Sequence, residues 1–451
     1  MKKNIDLLEG HIFTSLTGLA LPIMATSLVQ MAYNLTDMAW IGQVGSKAVA
    51  AVGAAGMYTW LSQGVVAMPK MGGQIKIAHS LGEERPKDAA EYAKGAIQMG
   101  TLFAILFAVI MVTGAKRLIG FFGLQDAKTL ADAQVYLKIT CGLIFFPFMN
   151  SILTGILTAT GDSKTPFKAN AVGLVINMVM DPVLIFGIGP FPRMEVAGAA
   201  VATVTAQIVV FLVFLLAIRQ DIIIFDKIRL FTKTSGGYIK TIYRLGLPAA
   251  IQNLLYTSIS MVLTRFVAGF GDAAVAVQRV GGQIESISWM TADGFAAAIN
   301  SFVGQNYGGK KYKRVKKGYL TSVGVMFVWG LLCTALLVFL PGPIFRIFIR
   351  EPEIIPAGID YLRIIGYSEM FMCIELTTVG ALSGLGKTFL SSIISITLTS
   401  ARIPLALLLS ATALGLTGIW WALTISSVMK GIVFFLCCLW IMEKLTKGET
   451  S

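Results

Sequence analysis

Two acidic residues interrupt long apolar stretches of the sequence. Asp37 lies in YNLTDMAWIGQVG, and Asp181 lies in VINMVMDPVLIFG. A carboxylate at membrane depth is costly, so acids are rare in membrane spans and usually face a water-filled cavity or an ion path. The two acids are therefore the first candidates for a functional site. The chemistry that they indicate is the binding of a proton or a sodium ion.

Polar residues accompany both acids at helical spacing. Those that precede Asp37 on the same helical face are Gln30, Tyr33 and Asn34. Asn177 lies four residues before Asp181 and shares its face. Such faces must point into a cavity, because lipid would not solvate them. Two polar faces in one bundle predict one pocket, in which two carboxylates cannot both stay ionised at low cost.

Each of these polar residues also has a structural interpretation. Asp37, near the outer end of its span, could be a helix-end acid. Asp181 comes directly before Pro182 and could cap a broken helix. Asn177 and Asn150 could bridge neighbouring helices by hydrogen bonds. The sequence leaves these alternatives open.

The composition is typical of a membrane protein. Hydrophobic residues make up 55% of the 451 residues and charged residues 14%, and the mean hydropathy is +0.74. Apolar stretches of about 20 residues recur, which is the length that a helix needs to cross the hydrocarbon core. The first stretch is expected to be a mature span and not a signal peptide. The sequence predicts an all-α polytopic membrane protein without a soluble domain.

Twelve spans are predicted, and several exceed the length that the bilayer requires, which indicates tilted or kinked helices. They cover residues 13–42, 48–77, 89–114, 131–159, 168–188, 196–218, 238–270, 274–306, 312–340, 357–384, 389–410 and 416–442. The five cysteines all lie in apolar segments. Neither a disulfide framework nor a cysteine metal site is indicated.

The basic residues predict the topology. The net charge is +13, and most Lys and Arg residues outside the spans lie at the two termini and in the loops that follow even-numbered spans. By the positive-inside rule, both termini are cytoplasmic, and the chain is expected in the cell (inner) membrane. The cluster KKYKRVKK at 310–317 is then a topology determinant beside anionic lipid. Nucleic acid is not expected as a partner.

An internal repeat organises the chain. At one constant offset along the sequence, Pro22 aligns with Pro248 and Gly45 aligns with Gly271. Because six is even, two six-span halves have the same orientation and are related by an axis along the membrane normal. The predicted domains are an N-terminal bundle with the cation site at 1–225, a cytoplasmic linker at 226–237 and a C-terminal bundle at 238–451. Two bundles around a central cleft are typical of a transporter.

Several motifs, in this order, resemble those of the multidrug and toxic compound extrusion (MATE) family over nearly the whole chain. They are a helix-1 proline followed by Gln30, Tyr33 and Asp37, then GQVGSKAVAAVG, NMVMDPVLIFG, VAGAAVAT and VGQNYGGKKYKR. The resemblance implies the MATE fold, with 12 transmembrane helices in two pseudo-symmetric six-helix bundles. It also implies a proton or cation site at Asp37, Asn177 and Asp181, with Gln30 and Tyr33 alongside.

Within the family, NMVMDP resembles the DinF-like branch. The NorM-like branch carries a glutamate eight residues after the seventh-span proline, where this chain has Tyr256. A NorM-type sodium site in the C-terminal half is therefore not supported by the sequence.

The C-terminal half has its own membrane-embedded acid, Glu375 in MFMCIELTTVG. We expect Arg402 or Arg265 to be its ionic partner, and a role for Glu375 as a second cation or substrate-cation site. The residues expected to line the substrate pocket are Gln30, Tyr33, Asn34, Asn150, Tyr256 and Glu375.

The resemblance implies a secondary active antiporter that exports lipophilic, often cationic, drugs or metabolites in exchange for H⁺ or Na⁺ by alternating access. The expected partners are small-molecule substrates and membrane lipid. We expect a monomer without a cofactor, and no metal beyond a sodium ion at Asp37 and Asp181.

Two other classes of function fit the sequence less well. A flippase for lipid-linked precursors, from the same superfamily, would need several cations in the cleft, and the candidates Arg265, Arg279 and Arg402 are few and scattered. An intramembrane enzyme would need a nucleophile beside a base, an acidic metal pair or a phosphate-binding loop. The sequence offers none of these, so enzymatic activity is not expected.

Overall fold

The computed structural model describes residues 5–122, 126–219, 225–228, 232–348 and 352–447. All regular structure within these ranges is helical, in agreement with the predicted all-α class. Of the predicted linker 226–237, residues 229–231 lie outside the described residues.

The N-terminal half of the described chain forms seven α-helices. They are α1 (Ile12–Val44), α2 (Ser46–Gly82), α3 (Pro86–Gly120), α4 (Ala127–Gly142), α5 (Phe145–Ala159), α6 (Lys164–Phe186) and α7 (Glu195–Ile218). A short 3₁₀ turn, Phe225–Lys227, follows them.

The C-terminal half forms nine α-helices within the described residues. They are α8 (Gly236–Ala268), α9 (Asp272–Gly308), α10 (Tyr312–Phe339), α11 (Pro341–Phe348), α12 (Ile355–Gly366), α13 (Glu369–Gly384), α14 (Thr388–Ser400), α15 (Arg402–Ser410) and α16 (Leu416–Lys447).

Each predicted span contains one long helix or two consecutive shorter ones. The paired helices are α4 with α5, α12 with α13, and α14 with α15, and α11 is a short additional helix. Over the described residues, seven helical segments are long and apolar enough to cross a membrane, and the α4–α5 pair, bent by 44°, makes eight if it is one span. Helices α2, α8 and α9 have the length but carry more polar residues.

Two equivalent turns show the internal repeat in the backbone. Gly45 separates α1 from α2 with φ of 139°, and Gly271 separates α8 from α9 with φ of 107°. These angles lie in a region that residues with a Cβ rarely adopt, so glycine is needed at both turns. The two glycines are a pair that the constant offset of the sequence repeat aligns.

Contacts divide the chain into two compact units, and unit 1 comprises Ala25–Ala250. Its core is an apolar cluster of side chains from α1 to α8. Small residues bring its helices close together. A Cβ at Gly198 of α7 would overlap the carbonyl of Leu184 on α6, which is the close backbone approach typical of membrane helix pairs.

Unit 2 comprises residues 5–24 together with the described part of 251–451. Helices α9 and α13 form a close pair in it, because Gly380 and Gly384 lie against the carbonyls of Ala296 and Asn300. The first part of α1 contributes Leu16 and other buried residues to the core of this unit.

The boundary between the two units falls inside two helices. Helix α1 passes from unit 2 to unit 1 after Met24, and α8 passes from unit 1 to unit 2 after Ala250. Both points lie just after a proline, Pro22 in α1 and Pro248 in α8. The first part of α1 therefore belongs to the unit of the C-terminal half, and the first part of α8 belongs to the unit of the N-terminal half. The domain limits 1–225 and 238–451, which describe the sequence repeat, stay a prediction.

Candidate functional site

Asp181 and Asn177 lie on one face of α6 and are fully buried. The Asn177 Nδ2 donates a hydrogen bond to the Asp181 Oδ1 at 3.2 Å. Within the described part of the chain, the Asp181 Oδ2 and the Asn177 Oδ1 are buried without a hydrogen-bond partner. A buried carboxylate oxygen that lacks a donor is expensive, so this side chain is suited to hold a proton or a cation.

Asp37 of α1 is the acidic neighbour of Asp181. The two carboxyl groups are near enough for the charge on Asp37 to act on Asp181. The Asp37 Oδ1 is buried and accepts no hydrogen bond from any described residue. The structure thus brings together the two acids that the sequence singled out, with Asn177 on the Asp181 carboxyl.

Tyr33 completes this group from α1. Its side chain is buried, and its hydroxyl lies within electrostatic range of both Asp37 and Asp181. The hydroxyl of Thr203 on α7 is nearby. Neither hydroxyl makes a hydrogen bond of ordinary geometry to the described residues. The pair of acids is therefore bordered by buried hydroxyl groups.

Tyr136 is a site residue that the sequence analysis missed. It lies on α4 and is buried, and its hydroxyl interacts electrostatically with Asp37, Tyr33 and Asp181. A tyrosine in an apolar span carries no sequence signal for such a role. Its position depends on how α4 packs against the other helices of unit 1.

Asp37 and Asp181 have no basic partner among the described residues. Among the described residues, Asp37 is the only charged neighbour that acts on Asp181, and no Lys or Arg acts on Asp37. Ionised together, the two acids would place like charges in a desolvated site. The counter-charge must then come from a proton or a metal cation. No group of three or more metal-ligating side chains occurs among the described residues.

Gln30 and Asn34 lie on the exposed part of α1. The Gln30 Nε2 donates a long hydrogen bond of 3.5 Å to the Asn34 Oδ1. Gln30 and Tyr33 also line a narrow cleft of unit 1, together with Asn170 and Gln207. The cleft connects the polar face of α1 with polar side chains of α6 and α7.

Asn150 binds a residue that lines this cleft. It is buried on α5, and its Nδ2 donates to both the backbone carbonyl and the side-chain Oε1 of Gln207, each at 2.9 Å. The amide therefore bridges α5 and α7, as membrane helices commonly use asparagine. Its contact with the cleft is made through Gln207.

Tyr256 belongs to a different part of the molecule, in unit 2. Its ring is half exposed, and the Arg402 guanidinium carbon lies 5.9 Å from the ring centroid. Arg402 is itself buried and donates to the hydroxyls of Ser426 at 3.1 Å and Ser427 at 2.9 Å. Tyr256 therefore does not belong to the acidic site of unit 1.

Glu375 of α13 has an ionic partner that the sequence analysis did not name. The Lys430 Nζ lies 2.8 Å from the Glu375 Oε1, and both side chains are buried. The expectation that Arg402 or Arg265 would pair with Glu375 was wrong. Lys430 extends from α16, which packs beside α13, whereas Arg402 is held by serines and Arg265 is exposed.

Glu369 is a second buried acid of unit 2, and the sequence analysis passed over it. It is 1% exposed, and neither carboxyl oxygen has a hydrogen-bond partner among the described residues. Glu285 of α9 acts on it, and Arg402 and Lys430 in turn act on Glu285. We call this set the charge cluster of unit 2: Glu285, Glu369, Glu375, Arg402 and Lys430.

Comparisons with known proteins give the family. The MatE family model matches residues 22–183 and, a second time, residues 248–408. The chain is 29% identical to the probable multidrug resistance protein NorM of Thermotoga maritima over 95% of this chain and 93% of the relative. It is 26% identical to an FAD transporter of Shewanella oneidensis over the full length of both chains.

A solved structure agrees in fold. It is the outward-facing conformation of a multidrug resistance MATE family transporter of the MOP superfamily, with a TM-score of 0.91 and 25% identity over 99% of both chains. The predicted fold with 12 helices is thereby confirmed. Assignment to the DinF-like branch stays a prediction.

Proposed function

The chain belongs to the MatE family of transporters, and on that premise we propose that it is a proton-coupled antiporter. It exports lipophilic, often cationic, drugs or metabolites in exchange for H⁺ by alternating access. Relatives named as multidrug resistance proteins support drug efflux, and the protein is a multi-pass membrane protein. We place it in the inner membrane as a monomer with cytoplasmic termini, surrounded by lipid and using no cofactor.

The observation that supports this proposal most strongly is the acid pair without a basic partner. Asp37 and Asp181 lie within electrostatic reach of each other, and no cationic side chain of the described chain acts on either. A bound proton removes one of the two negative charges of the pair, so the surrounding helices can close around it more readily. Loss of the proton leaves charge that requires water or a cationic substrate. Proton exchange thereby biases α1 between two states.

The direction of coupling follows from this exchange. A cationic substrate near Asp37 supplies the same charge as the proton, so the two compete for one site. Gln30 and Tyr33 line a cleft of unit 1, and Tyr33 lies within electrostatic range of both acids. Substrate entering from the cytoplasm displaces the proton, and a proton entering from outside displaces the substrate. Net export then follows the inward proton gradient.

Tyr256 and Arg402 favour a second substrate class. The half-exposed ring offers a stacking surface, and the guanidinium beneath it is positively charged. A planar anionic compound could use both features. Flavin adenine dinucleotide has this chemistry, and one relative is named an FAD transporter.

Proteoliposomes test both classes. Purified protein is reconstituted, and uptake of a cationic dye and of flavin adenine dinucleotide is followed under an imposed pH gradient and, separately, a sodium gradient. We expect the pH gradient to drive dye transport, and Asp37→Asn and Asp181→Asn each to abolish it. Asp126→Asn changes an exposed acid of an outer loop in the same way and is the matched control, with transport retained.

The outcomes separate the alternatives. Transport driven only by the sodium gradient would show that the coupling ion is sodium and not the proton. Transport of flavin adenine dinucleotide alone, lost in Arg402→Gln, would favour the second substrate class. Retained pH-driven transport in both aspartate variants would overturn the proposal.

A further inference from the structure

The residues that precede α1 are held by side chains from the other half of the sequence. The Asn306 Nδ2 donates to the carbonyl of Leu7 at 2.9 Å. The Arg314 Nε and one terminal nitrogen donate to the same carbonyl, each at 3.2 Å, and that nitrogen also donates to the Gly10 carbonyl. Lys311 forms an ion pair with Glu9. We call Asn306 and Arg314 the α1 anchors.

The α1 anchors are built into the core of unit 2. Asn306 is fully buried and also donates to the carbonyl of Phe302 at 2.8 Å. Leu7 is 1% exposed, and the Arg314 guanidinium lies 5.4 Å from the centroid of the Phe302 ring. Because the anchors bind backbone carbonyls, they fix the path of the chain into α1.

An equivalent arrangement holds the residues that precede α8, within unit 1. The Gln98 Nε2 donates to the Thr232 carbonyl at 2.8 Å, and the Thr234 hydroxyl donates to the Gln98 Oε1 at 2.7 Å. The Tyr238 hydroxyl donates to the Asp88 Oδ1 at 2.9 Å. We call Gln98 and Asp88 the α8 anchors.

One member of each set of anchors, Asp88 and Arg314, occupies the same position in the repeat. The offset that aligns Pro22 with Pro248 also aligns Asp88 with Arg314, yet one is an acceptor and the other a donor. Both lie near the start of the third helix of their half, α3 and α10. Each half of the sequence therefore holds the residues at the start of the first helix of the other half. The hydrogen-bonding groups that do so differ between the two halves.

Backbone packing extends the grip on α8. A Cβ at Gly246 would overlap the carbonyl of Met68, and a Cβ at Gly72 would overlap the carbonyl of Ile242. Helices α2 and α8 thus touch backbone to backbone. In unit 2, α1 is held by apolar packing of its buried residues Leu16, Leu19 and Ala20.

We infer that Asn306 and Arg314 are positioning residues for transport, which keep the start of α1 attached to unit 2 throughout the cycle. The inference rests on the proposed function. Helix α1 continues into unit 1, where it carries Tyr33 and Asp37. With the entry segment fixed, the change in α1 that proton exchange produces is confined to the stretch from Pro22 onward. Gln98 and Asp88 do the same for α8.

Arg314→Gln tests the anchoring, with Lys313→Gln as the matched control. Lys313 is the neighbouring cation and is exposed, and Lys313→Gln makes the same change of charge as Arg314→Gln. Arg314→Gln should accelerate amide exchange of residues 7–12 at least about tenfold, because the segment opens locally. It should also lower transport per folded molecule about three- to tenfold, through lost positioning. Lys313→Gln should leave both measurements unchanged.

A cross-link provides the second test and does not depend on removing an anchor. Glu9→Cys and Lys311→Cys are joined by a short bis-methanethiosulfonate, whose two disulfide bonds a reductant cleaves, and wild-type protein is treated in parallel. The joined protein should keep at least half of its transport, because the segment never leaves unit 2. Transport that stops on cross-linking and returns with reductant would overturn the inference.

The two proposals fail in different ways. Wild-type protein that moved no tested compound would contradict the proposed function. Unchanged amide exchange in Arg314→Gln would contradict the anchors, whatever is transported. Faster exchange with undiminished transport would show that the anchors are structural only, which also overturns the inference.

Discussion

Glu375 of unit 2 and the acid pair of unit 1 are buried carboxylates that are neutralised differently, whereas Glu369 of unit 2 resembles the acid pair in having carboxyl oxygens without a hydrogen-bond partner among the described residues. In unit 2, Lys430 pairs with Glu375 at 2.8 Å, and Lys430 and Arg402 act on Glu285. In unit 1, the described residues provide no cation for Asp37 or Asp181. A permanent ion pair keeps its charges whichever way the protein faces. An acid without a permanent partner must take its counter-charge from solution, which is what coupling to an ion requires.

This difference assigns different roles to two sets of acids that look alike in the sequence. Glu375 was expected to act as a cation site, but its counter-charge is already supplied by Lys430. We therefore regard the Glu375 ion pair as a structural element of unit 2 and the Asp37–Asp181 pair as the coupling site. The following variants break or sharpen the contrast.

The largest effect on stability is expected from Lys430→Met. Removing one member of a buried ion pair leaves an uncompensated charge and costs about 3–5 kcal/mol. Thermal unfolding in detergent should show this loss, and the double variant with Glu375→Met should recover most of it. Asp181→Asn should unfold near the wild-type temperature, since it removes an uncompensated acid. Equal stability of Lys430→Met and wild type would remove the contrast between the units.

A large effect on transport is expected from Asn177→Leu. The substitution removes the donor to the Asp181 Oδ1, and a hydrogen bond to a charged group is worth about 1.5–3 kcal/mol. The initial rate of dye transport should fall about tenfold or more, while insertion stays normal. Thr378→Val, which removes a buried hydrogen bond between Tyr319 and α13 in unit 2, serves as the control. A similar loss in both variants would argue against a special role for Asn177.

A smaller effect is expected from Asn150→Ala, which removes both hydrogen bonds to Gln207. Each neutral hydrogen bond contributes about 1 kcal/mol, so unfolding should occur at a lower temperature. Because Asn150 reaches the cleft only through Gln207, dye transport per folded molecule should change about twofold at most. Complete loss of transport with normal stability would make Asn150 a substrate ligand.

The smallest effect concerns an exposed ion pair at the outer edge of unit 1. The hydrogen bond from Lys47, followed by those from the backbone and hydroxyl of Thr129, holds the pKa of Asp126 well below its ordinary value. A lowered folded-state pKa contributes stability above the unfolded pKa of about 4. That stability disappears as pH falls toward the folded-state pKa. Asp126→Asn should therefore unfold slightly earlier than wild type at pH 7, and this difference should be smaller at about pH 2 than at pH 7.

That pH comparison has a built-in check. Lys47→Gln removes the other member of the same exposed pair. It should show the same small difference at pH 7, since screening by solvent limits such pairs. A difference between Lys47→Gln and wild type that was equally large at about pH 2 and at pH 7 would show that it does not arise from the ion pair with Asp126.

The architecture could be predicted well from the sequence. Apolar length indicated twelve spans, each of which contains a helix or a broken pair, and the constant offset of the repeat found the turns at Gly45 and Gly271. These features depend on local sequence. The exchange of the first parts of α1 and α8 between units could not be predicted, because it depends on contacts between distant segments.

The candidate site was predictable where residues share one helix. Asn177 and Asp181 are four residues apart, so their hydrogen bond follows from helical spacing. Pairings between helices were not accessible in this way. Lys430 lies alone in the apolar run SSVMKGIVFF, which was a usable signal for a buried partner. The choice of Glu375 as that partner depends on the packing of α13 against α16.

The central claim is that the acid pair of unit 1 exchanges a proton for substrate. Proton release on adding a cationic dye to purified protein, followed with a pH indicator in weak buffer, tests it most directly. Wild type and the double variant Glu375→Met with Lys430→Met should release protons as dye binds, whereas Asp181→Asn should bind dye without release. Undiminished release from Asp181→Asn, or loss of release only in the double variant of Glu375 and Lys430, would contradict the account and move the coupling site to unit 2.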